Sequence, residues 1–477
     1  MYHVLLVFLF DGIQEFVTTR SIYHITILCE VETYKKKCYD YIMNKREIRK
    51  DFAKYVSLSI LGMLSFSGFV IIDTLFIAAA LGSNGLAALN ISIAVFSILQ
   101  GVGLMVGIGG ATRFGILQSE GRNANDTFMH SLALAGFFAL IFVMIGAFFT
   151  PSLAQLLGAN YATLDMTVEF IRTILLFSPA MMLNNVLIAF VRNDNNPKLS
   201  MAGMVAGSLS NIVLDYVFLF PLGLGLFGAA LATGISVILS IGILSLHFTK
   251  GQNHFRLARC KLHLKKIWDV IILGSSTLVG ELAFAIALIT FNLVILNLEG
   301  NIGVAAFGIV ANIAVVALNV FVGVAQGVQP LMSKGHGLRD SQMVKLNLKY
   351  ATALVFVLTM LVYTVVSIFS APIVAAFNSE GNVTLAQLAV NGLRIYFIGL
   401  IFAGLNMIVS AFFSAVDNPE KGLFISLLRS CVVIIPMLLV LSTLWGMNGV
   451  WFSFVFTELI IGGLAVIFVF RKLRELK

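Results

Sequence analysis

Twelve apolar segments, each long enough to cross roughly 30 Å of hydrocarbon, constrain this chain more than any other feature. They fall at 55–80, 91–112, 128–149, 168–191, 199–220, 227–249, 268–297, 304–330, 347–371, 386–414, 422–444 and 449–470. A bilayer offers no water to exposed peptide groups, so such segments must be helices that satisfy their own hydrogen bonds. The sequence predicts an all-α integral membrane protein. Composition agrees, because 59% of the 477 residues are hydrophobic and only 11% are charged, a balance no soluble domain needs.

Lys and Arg fix how the spans are threaded. The connections at 45–54, 113–122, 192–198, 250–266, 334–345, 421 and 471–477 carry 23 of them. Those at 81–90, 150–167, 221–226, 298–303, 372–385 and 445–448 carry none. Basic loops stay in the cytoplasm, so the split predicts both termini inside and an even number of spans. It also accounts for the net charge of +8 without nucleic acid. Cys29, Cys38, Cys260 and Cys431 show neither metal-binding spacing nor a disulfide pattern. The seven His form no cluster and no HExxH occurs. No enzyme activity, no cofactor and no metal beyond sodium is expected.

Residues 1–42 differ from the rest. MYHVLLVFLFDGIQEF has an apolar run of about eight residues, too short to span. It lacks the basic region and small-residue cleavage site of a signal peptide. Met43 opens MNKREIRKDFAK directly before the first span. Translation, or at least order, is expected to begin near Met43, with 1–42 a disordered or non-native extension.

The two halves of the chain resemble each other. NDNNPK at 193–198 recurs as VDNPEK at 416–421, each between the fourth and fifth span of its half. Asn184 and Asn406 precede the matched Asn196 and Asn418 by 12 residues, and Arg172 and Arg394 by 24. GLAAL at 85–89 answers GVAAF at 303–307, and Gly62 with Phe66 answers Gly280 with Phe284. Parallel six-span repeats suggest a secondary transporter with its cavity between two lobes. The expected division is an amino-terminal lobe at 43–249, a cytoplasmic inter-lobe loop at 250–267 and a carboxy-terminal lobe at 268–477.

Four acids lie inside spans: Asp73, Asp215, Glu281 and Glu458. An uncompensated charge at the bilayer centre costs at least about 2.5–3.5 kcal/mol, so each is a candidate for function. Asp73 comes 19 residues after Lys54, and Asp215, in NIVLDYVFLF, 17 after Lys198. At about 1.5 Å per residue both sit about 26–28 Å from the basic edge of the first lobe. Asn211 precedes Asp215 by four residues and shares its helix face. Thr233 lies a few residues in from the uncharged end of span 6. These hard oxygen ligands suit sodium; alternatively, two carboxylates in one low-dielectric pocket take a proton between them. A purely structural role would be helix–helix hydrogen bonding. Glu281 lies near mid-membrane on span 7 and Glu458 on span 12. Arg429, eight residues into span 11, can snorkel or pair with an acid. Asn184, Gln326, Gln329 and Asn406 are candidate cavity-lining amides, and Met181, Met182 and Met407 a candidate adaptable surface.

The Asp in IIDTLFIAAALGSNGLAAL, NIVLD on span 5, GAALAT on span 6 and the repeated DNP-type loop together resemble the MATE family, the multidrug and toxic compound extrusion transporters. The likeness covers roughly 45–470 and looks closest to the bacterial MepA-like branch. It implies two six-helix lobes, with a coupling-cation site in the first lobe at the positions of Asp73, Asn211, Asp215 and Thr233. Glu281 matches the span-7 acid of NorM-like members, whose span-10 Asp has no counterpart in VNGLRIYFIGLIFAGLNMIVSAFF.

The resulting reading is a monomeric antiporter of the bacterial inner membrane. It exports amphipathic, cationic organic compounds in exchange for sodium ions or protons. Glu281, Asn184, Gln326, Gln329, Asn406 and Glu458 are expected at the substrate cavity or a second acid site. One alternative is a lipid-linked oligosaccharide flippase, which would line its cavity with Arg and Lys rather than acids. Another is an intramembrane enzyme, for which no nucleophile–base set is present.

Overall fold

The computed structural model describes residues 32–249, 251, 253–257, 260–378 and 381–475. The expectation for the extension at 1–42 lies outside the described residues as far as residue 31; from Glu32 the backbone is helical. Every expected span is helical over most of its length, with spans 4, 9 and 11 crossing a helix break. Spans 1 and 2 share α1 (Glu32–Ser119), and span 3 is α2 (Asn125–Phe148). After the short α3 (Thr150–Leu156), span 4 is α4 (Leu164–Leu176) followed by α5 (Ser178–Asn193). Spans 5 and 6 are α6 (Pro197–Leu219) and α7 (Gly225–Thr249). The second half repeats the plan. Spans 7 and 8 share α8 (Leu264–Gly337), and span 9 is α9 (Ser341–Ile368). The short α10 (Ser370–Phe377) precedes span 10 in α11 (Val383–Ala415). Span 11 starts as α12 (Pro419–Leu427), passes through a π-helical turn at Leu428–Val432, and joins span 12 in α13 (Ile434–Glu475).

Three connections expected as loops at the uncharged end are tighter than the sequence suggests. Those at 81–90, 298–303 and 445–448 contract to breaks at Gly82 (φ 65°, ψ −155°), Gly300 (61°, −153°) and Gly446 (56°, −135°). Glycine enters this backbone region without the steric cost any other residue meets. A single residue can therefore turn the chain from one helix to the next. Left-handed positions also mark the repeat: Gly82 with Gly300, Gly121 with Arg339, and Asn195 with Asp417. Asn195 and Asp417 lead into the matched prolines Pro197 and Pro419, each at the start of a helix, where proline's fixed φ is favourable.

The halves differ where proline differs. Span 4 bends by 52° between α4 and α5. Pro179 in the first turn of α5 cannot donate to the preceding turn, and Ser178 Oγ donates instead to the carbonyl of Ala139 on span 3, at 3.1 Å. The matched position in span 10 is Ile401, and α11 runs unbroken for 33 residues. Span 11 holds Pro436, whose missing N–H falls opposite the carbonyl of Val432. The helix widens into its π turn just there.

Each half buries its own core, and the start of each half packs into the other's. Ile48, Phe52, Tyr55 and Val56 join the carboxy-terminal core, whereas Val270 joins the amino-terminal one. Span 1 meets span 8 at glycines. A Cβ on Gly327 would fall 2.7 Å from Val56 Cα, and one on Gly323 2.8 Å from Ile60 Cα. Cross-half polar contacts gather at the basic end. Arg192 Nη1 donates to Gln326 Oε1 (2.8 Å), and Gln329 Nε2 to Thr112 Oγ1 (2.7 Å). Arg113 meets Asp269 and Asp417 at 3.5 Å each.

Candidate functional site

The site begins with how α6 lies on α7. Gly203 and Gly207 let the two helices close around Leu244 and Ser240. The buried stripe of α6 continues through Ser208 and Asn211 to Asp215. Asp215 is fully buried although it carries a carboxylate. Span 1 is held across it by aromatic contacts one turn further on. Phe76 lies edge-on to Phe220 at 5.7 Å and tilted to Tyr216 at 6.1 Å. This brings Asp73 to Asp215, and the two carboxyl groups lie within hydrogen-bonding reach of each other. The Asn211 amide is best satisfied with its nitrogen donating to Asp215 Oδ2 (2.8 Å) and its oxygen accepting from the Thr233 N–H (3.2 Å). The Thr233 hydroxyl stands 3.2 Å from the same amide and donates to the carbonyl of Ala229 at 3.1 Å. Asp73, Asn211, Asp215 and Thr233 thus converge. Oδ1 of Asp73 and Oδ1 of Asp215 are both buried, and among the described residues only the facing carboxyl group, if protonated, could donate to them. A buried carboxylate oxygen without a donor is costly, and a small cation between the two groups would relieve both at once.

The other expected site residues do not join this cluster. Glu458 lies within the second half, where Arg429 Nε and Nη2 donate to its Oε1 at 3.0 and 2.7 Å. Asn406 Nδ2 donates to its Oε2 at 2.7 Å. Gln326 and Gln329 are buried at the basic end, in the cross-half hydrogen bonds to Arg192 and Thr112. Glu281 on span 7 is half-buried against Gly101 of span 2, and no hydrogen bond reaches it among the described residues. Asn184 keeps a buried amide oxygen without a partner, while its neighbour Asn185 donates to Gln100 Oε1 at 2.9 Å.

Sequence reasoning missed a polar hub at the basic end of the first half. The buried Asp194 accepts from His247 Nε2 at 2.9 Å, from His254 Nδ1 at 2.7 Å and from the His254 backbone N–H at 2.7 Å. Burial alone would raise its carboxyl, but these bonds hold it below its ordinary value. The inter-lobe loop is therefore docked on the first half. Phe255, fully buried, packs among Phe114, Phe128, Phe190 and Phe248. Lys266 Nζ reaches Asp126 at 2.9 Å near its far end. The available signal was the loop's one Phe, set between His254 and Arg256.

Comparison with known proteins sets this geometry in context. The MatE family pattern matches residues 59–217 and 277–440. The chain is 25% identical over 443 residues to a multidrug export protein MepA from Staphylococcus saprophyticus, a match covering 90% of this chain and 95% of the relative. A multidrug export protein MepA from Staphylococcus aureus matches at the same identity and coverage. Among solved structures, one described as the outward-facing conformation of a multidrug resistance MATE family transporter of the MOP superfamily superposes with a TM-score of 0.85. It shares 22% identity, over 90% of this chain and 96% of that one. A MOP superfamily transporter from Pyrococcus furiosus, whose reverse binding-pocket polarity is said to suggest a different function, superposes at 0.84, with 21% identity over 90% and 96% of the two chains. Both likenesses establish the two-lobe fold. With the family pattern found in both halves, on helices apolar enough to cross a membrane, the chain belongs to the MatE family of membrane transporters.

Proposed function

We propose that this transporter is a multidrug efflux antiporter of the bacterial inner membrane, exporting amphipathic, cationic organic compounds in exchange for sodium ions or protons. The observation that carries the reading is the facing pair Asp73 and Asp215, each with a buried oxygen that, among the described residues, no donor outside the pair reaches. Two such groups need a positive charge between them, and an exchangeable cation supplies one. The amide of Asn211 and the hydroxyl of Thr233 complete a set of hard oxygen ligands. Binding there favours one arrangement of the lobes over the other, because the cation has different affinity for the two.

The basic end is read as cytoplasmic, with both termini on that side. The cross-half contacts then close the protein toward the cytoplasm. The lobes at 43–249 and 268–477 move about this closure within a single monomer, and Glu281 is the acid left to meet cationic cargo. The MepA relatives, by name multidrug export proteins, support the same reading. An anionic lipid-linked head group would need free Arg and Lys. The buried Arg192 and the largely buried Arg429 are instead engaged by Gln326 and Glu458.

The test is ethidium efflux from proteoliposomes, with sodium and pH gradients imposed separately. One of the two should accelerate efflux by the full-length protein. Efflux indifferent to both gradients would exclude cation coupling.

A further inference from the structure

The second half repeats the helix pair that holds Asp215, but fills it differently. Gly207 of span 5 corresponds to Arg429 of span 11 in the repeat that matches Asn196 with Asn418. Gly207 faces span 6, where a Cβ would lie 3.3 Å from Ser240 Cβ and 3.5 Å from the carbonyl oxygen of Ser236. Arg429 likewise faces span 12, where its guanidinium holds Glu458 Oε1 through two nitrogens. Asn406 takes the remaining oxygen, so the Glu458 carboxylate has donors on both sides. Arg429 sits in the π turn ahead of Pro436, a turn that span 5 does not have. Each half therefore places a carboxylate where its last spans meet. The first half leaves carboxylate oxygens without partners, and the second supplies its own positive charge.

We propose that Arg429 is a built-in cation that occupies Glu458 throughout the transport cycle and keeps the second lobe's acid cluster from exchanging sodium or protons. The contrast with the first lobe rests on the antiport reading above; the occupancy of Glu458 does not. An exchangeable cation must leave in one conformation, whereas a guanidinium tethered to span 11 and bonded through two nitrogens cannot diffuse away. Exchange at this cluster would then begin only once Arg429 is removed.

The test uses purified full-length protein in which Asp73→Asn, Asp215→Asn and Glu281→Gln silence the other intramembrane acids. Its melting temperature should not respond when choline is replaced by sodium, nor differ between mildly acidic and mildly alkaline buffer by more than the extramembrane groups account for. Adding Arg429→Gln should make it rise by several degrees with sodium or with acidification. Adding Glu458→Gln as well should abolish that response, and this neutral pair should fold. A response absent from the Arg429→Gln protein, or surviving Glu458→Gln, would overturn the proposal. Should Arg429→Gln not accumulate, the wild-type chain decides. A hydrophobic carbodiimide, which modifies protonated carboxyl groups, should leave Glu458 unmodified in peptide mass spectra, and an adduct on Glu458 refutes the built-in cation. Failure of the antiport reading shows elsewhere, as wild-type efflux indifferent to both gradients.

Discussion

The two halves of this transporter are built on one frame and charged differently. Left-handed turn residues recur at matched positions, Gly82 with Gly300 and Asn195 with Asp417. Between those turns the helices follow the same order. Yet the first half joins Asp73 to Asp215 with no side-chain cation paired to them among the described residues, while the second closes Glu458 with Arg429 and Asn406. At the basic end, Asp194 gathers two His, whereas its counterpart is the buried Val416. Turn geometry and span length preserve the frame, and a few polar side chains decide which half can hold an exchangeable charge.

The largest expected effect separates those roles. Asp215→Asn keeps the size and much of the hydrogen bonding of the carboxyl group but removes the exchangeable charge. A neutral amide is easier to bury than a carboxylate, so the protein should reach the membrane in normal amounts. Gradient-driven ethidium efflux should fall to the level of empty vesicles, and Asp73→Asn should follow with some residual activity. Wild-type efflux by Asp215→Asn at equal abundance would reduce this aspartate to a structural hydrogen-bonding residue and erase the functional contrast between the halves. Next comes Glu458→Ala, which acts on the fold. It strands the Arg429 guanidinium among apolar helices, and losing one partner of a buried ion pair costs about 3–5 kcal/mol. The expected readout is a lower melting temperature and reduced membrane abundance. Normal stability with altered cation dependence would instead mean that the second half also exchanges charge.

Much of this was legible in the sequence, for a physical reason. Depth along a helix is linear in residue number, so counting from Lys54 and Lys198 put Asp73 and Asp215 at one height, and helical periodicity added Asn211. Helix rotation and lobe closure leave no such trace. Gln326 and Gln329 look like cavity amides because they are polar residues within a span. Their hydrogen bonds to Arg192 and Thr112 depend on where the halves close. Glu458 and Arg429 were both visible as intramembrane charges, and Arg429 as able to pair with an acid. Their pairing depends on how spans 11 and 12 are rotated about their axes, and Arg429 lies in the π turn ahead of Pro436. The turn at Gly82 was hidden for a simpler reason. Residues 83–90 are apolar enough to read as a loop or as helix, and one glycine sufficed to turn the chain.

A smaller effect is expected at the hub unique to the first half. Asp194→Ala leaves the buried Nε2 of His247 facing no acceptor, and an orphaned buried donor costs about 1–3 kcal/mol. The pH dependence has a definite sign. The Asp194 carboxyl titrates below its ordinary 3.8 in the folded protein: burial opposes this, but the bonds from His247 and His254 outweigh it. Its contribution to stability is therefore fully present above about pH 5 and is lost as pH falls through the depressed value. Melting curves between about pH 3 and pH 6 should converge for wild type and Asp194→Ala at the acid end. Curves that stay parallel would show that the ionised form does not hold the inter-lobe loop.

The smallest effect is expected near the other end of the same loop, where Lys266 meets Asp126 at 2.9 Å. The Lys266 hydrogen bond, opposed by burial and aided by the charges of Lys266, His130 and His263, holds the Asp126 carboxyl below its ordinary value. The direction is the same as at Asp194, but the surroundings are not. The Asp126 and Lys266 side chains are 34% and 46% exposed, so water competes for both, whereas the Asp194 side chain is wholly buried. Exposed pairs are worth about 0–1 kcal/mol and weaken as salt screens them. Asp126→Asn should therefore lower the melting temperature slightly at low ionic strength and match wild type at high salt. If it instead costs as much as Asp194→Ala and resists salt, the loop is held along its whole length. The linker would then move as part of the first half, and any hinge between the halves would have to lie beyond Lys266, inside span 7.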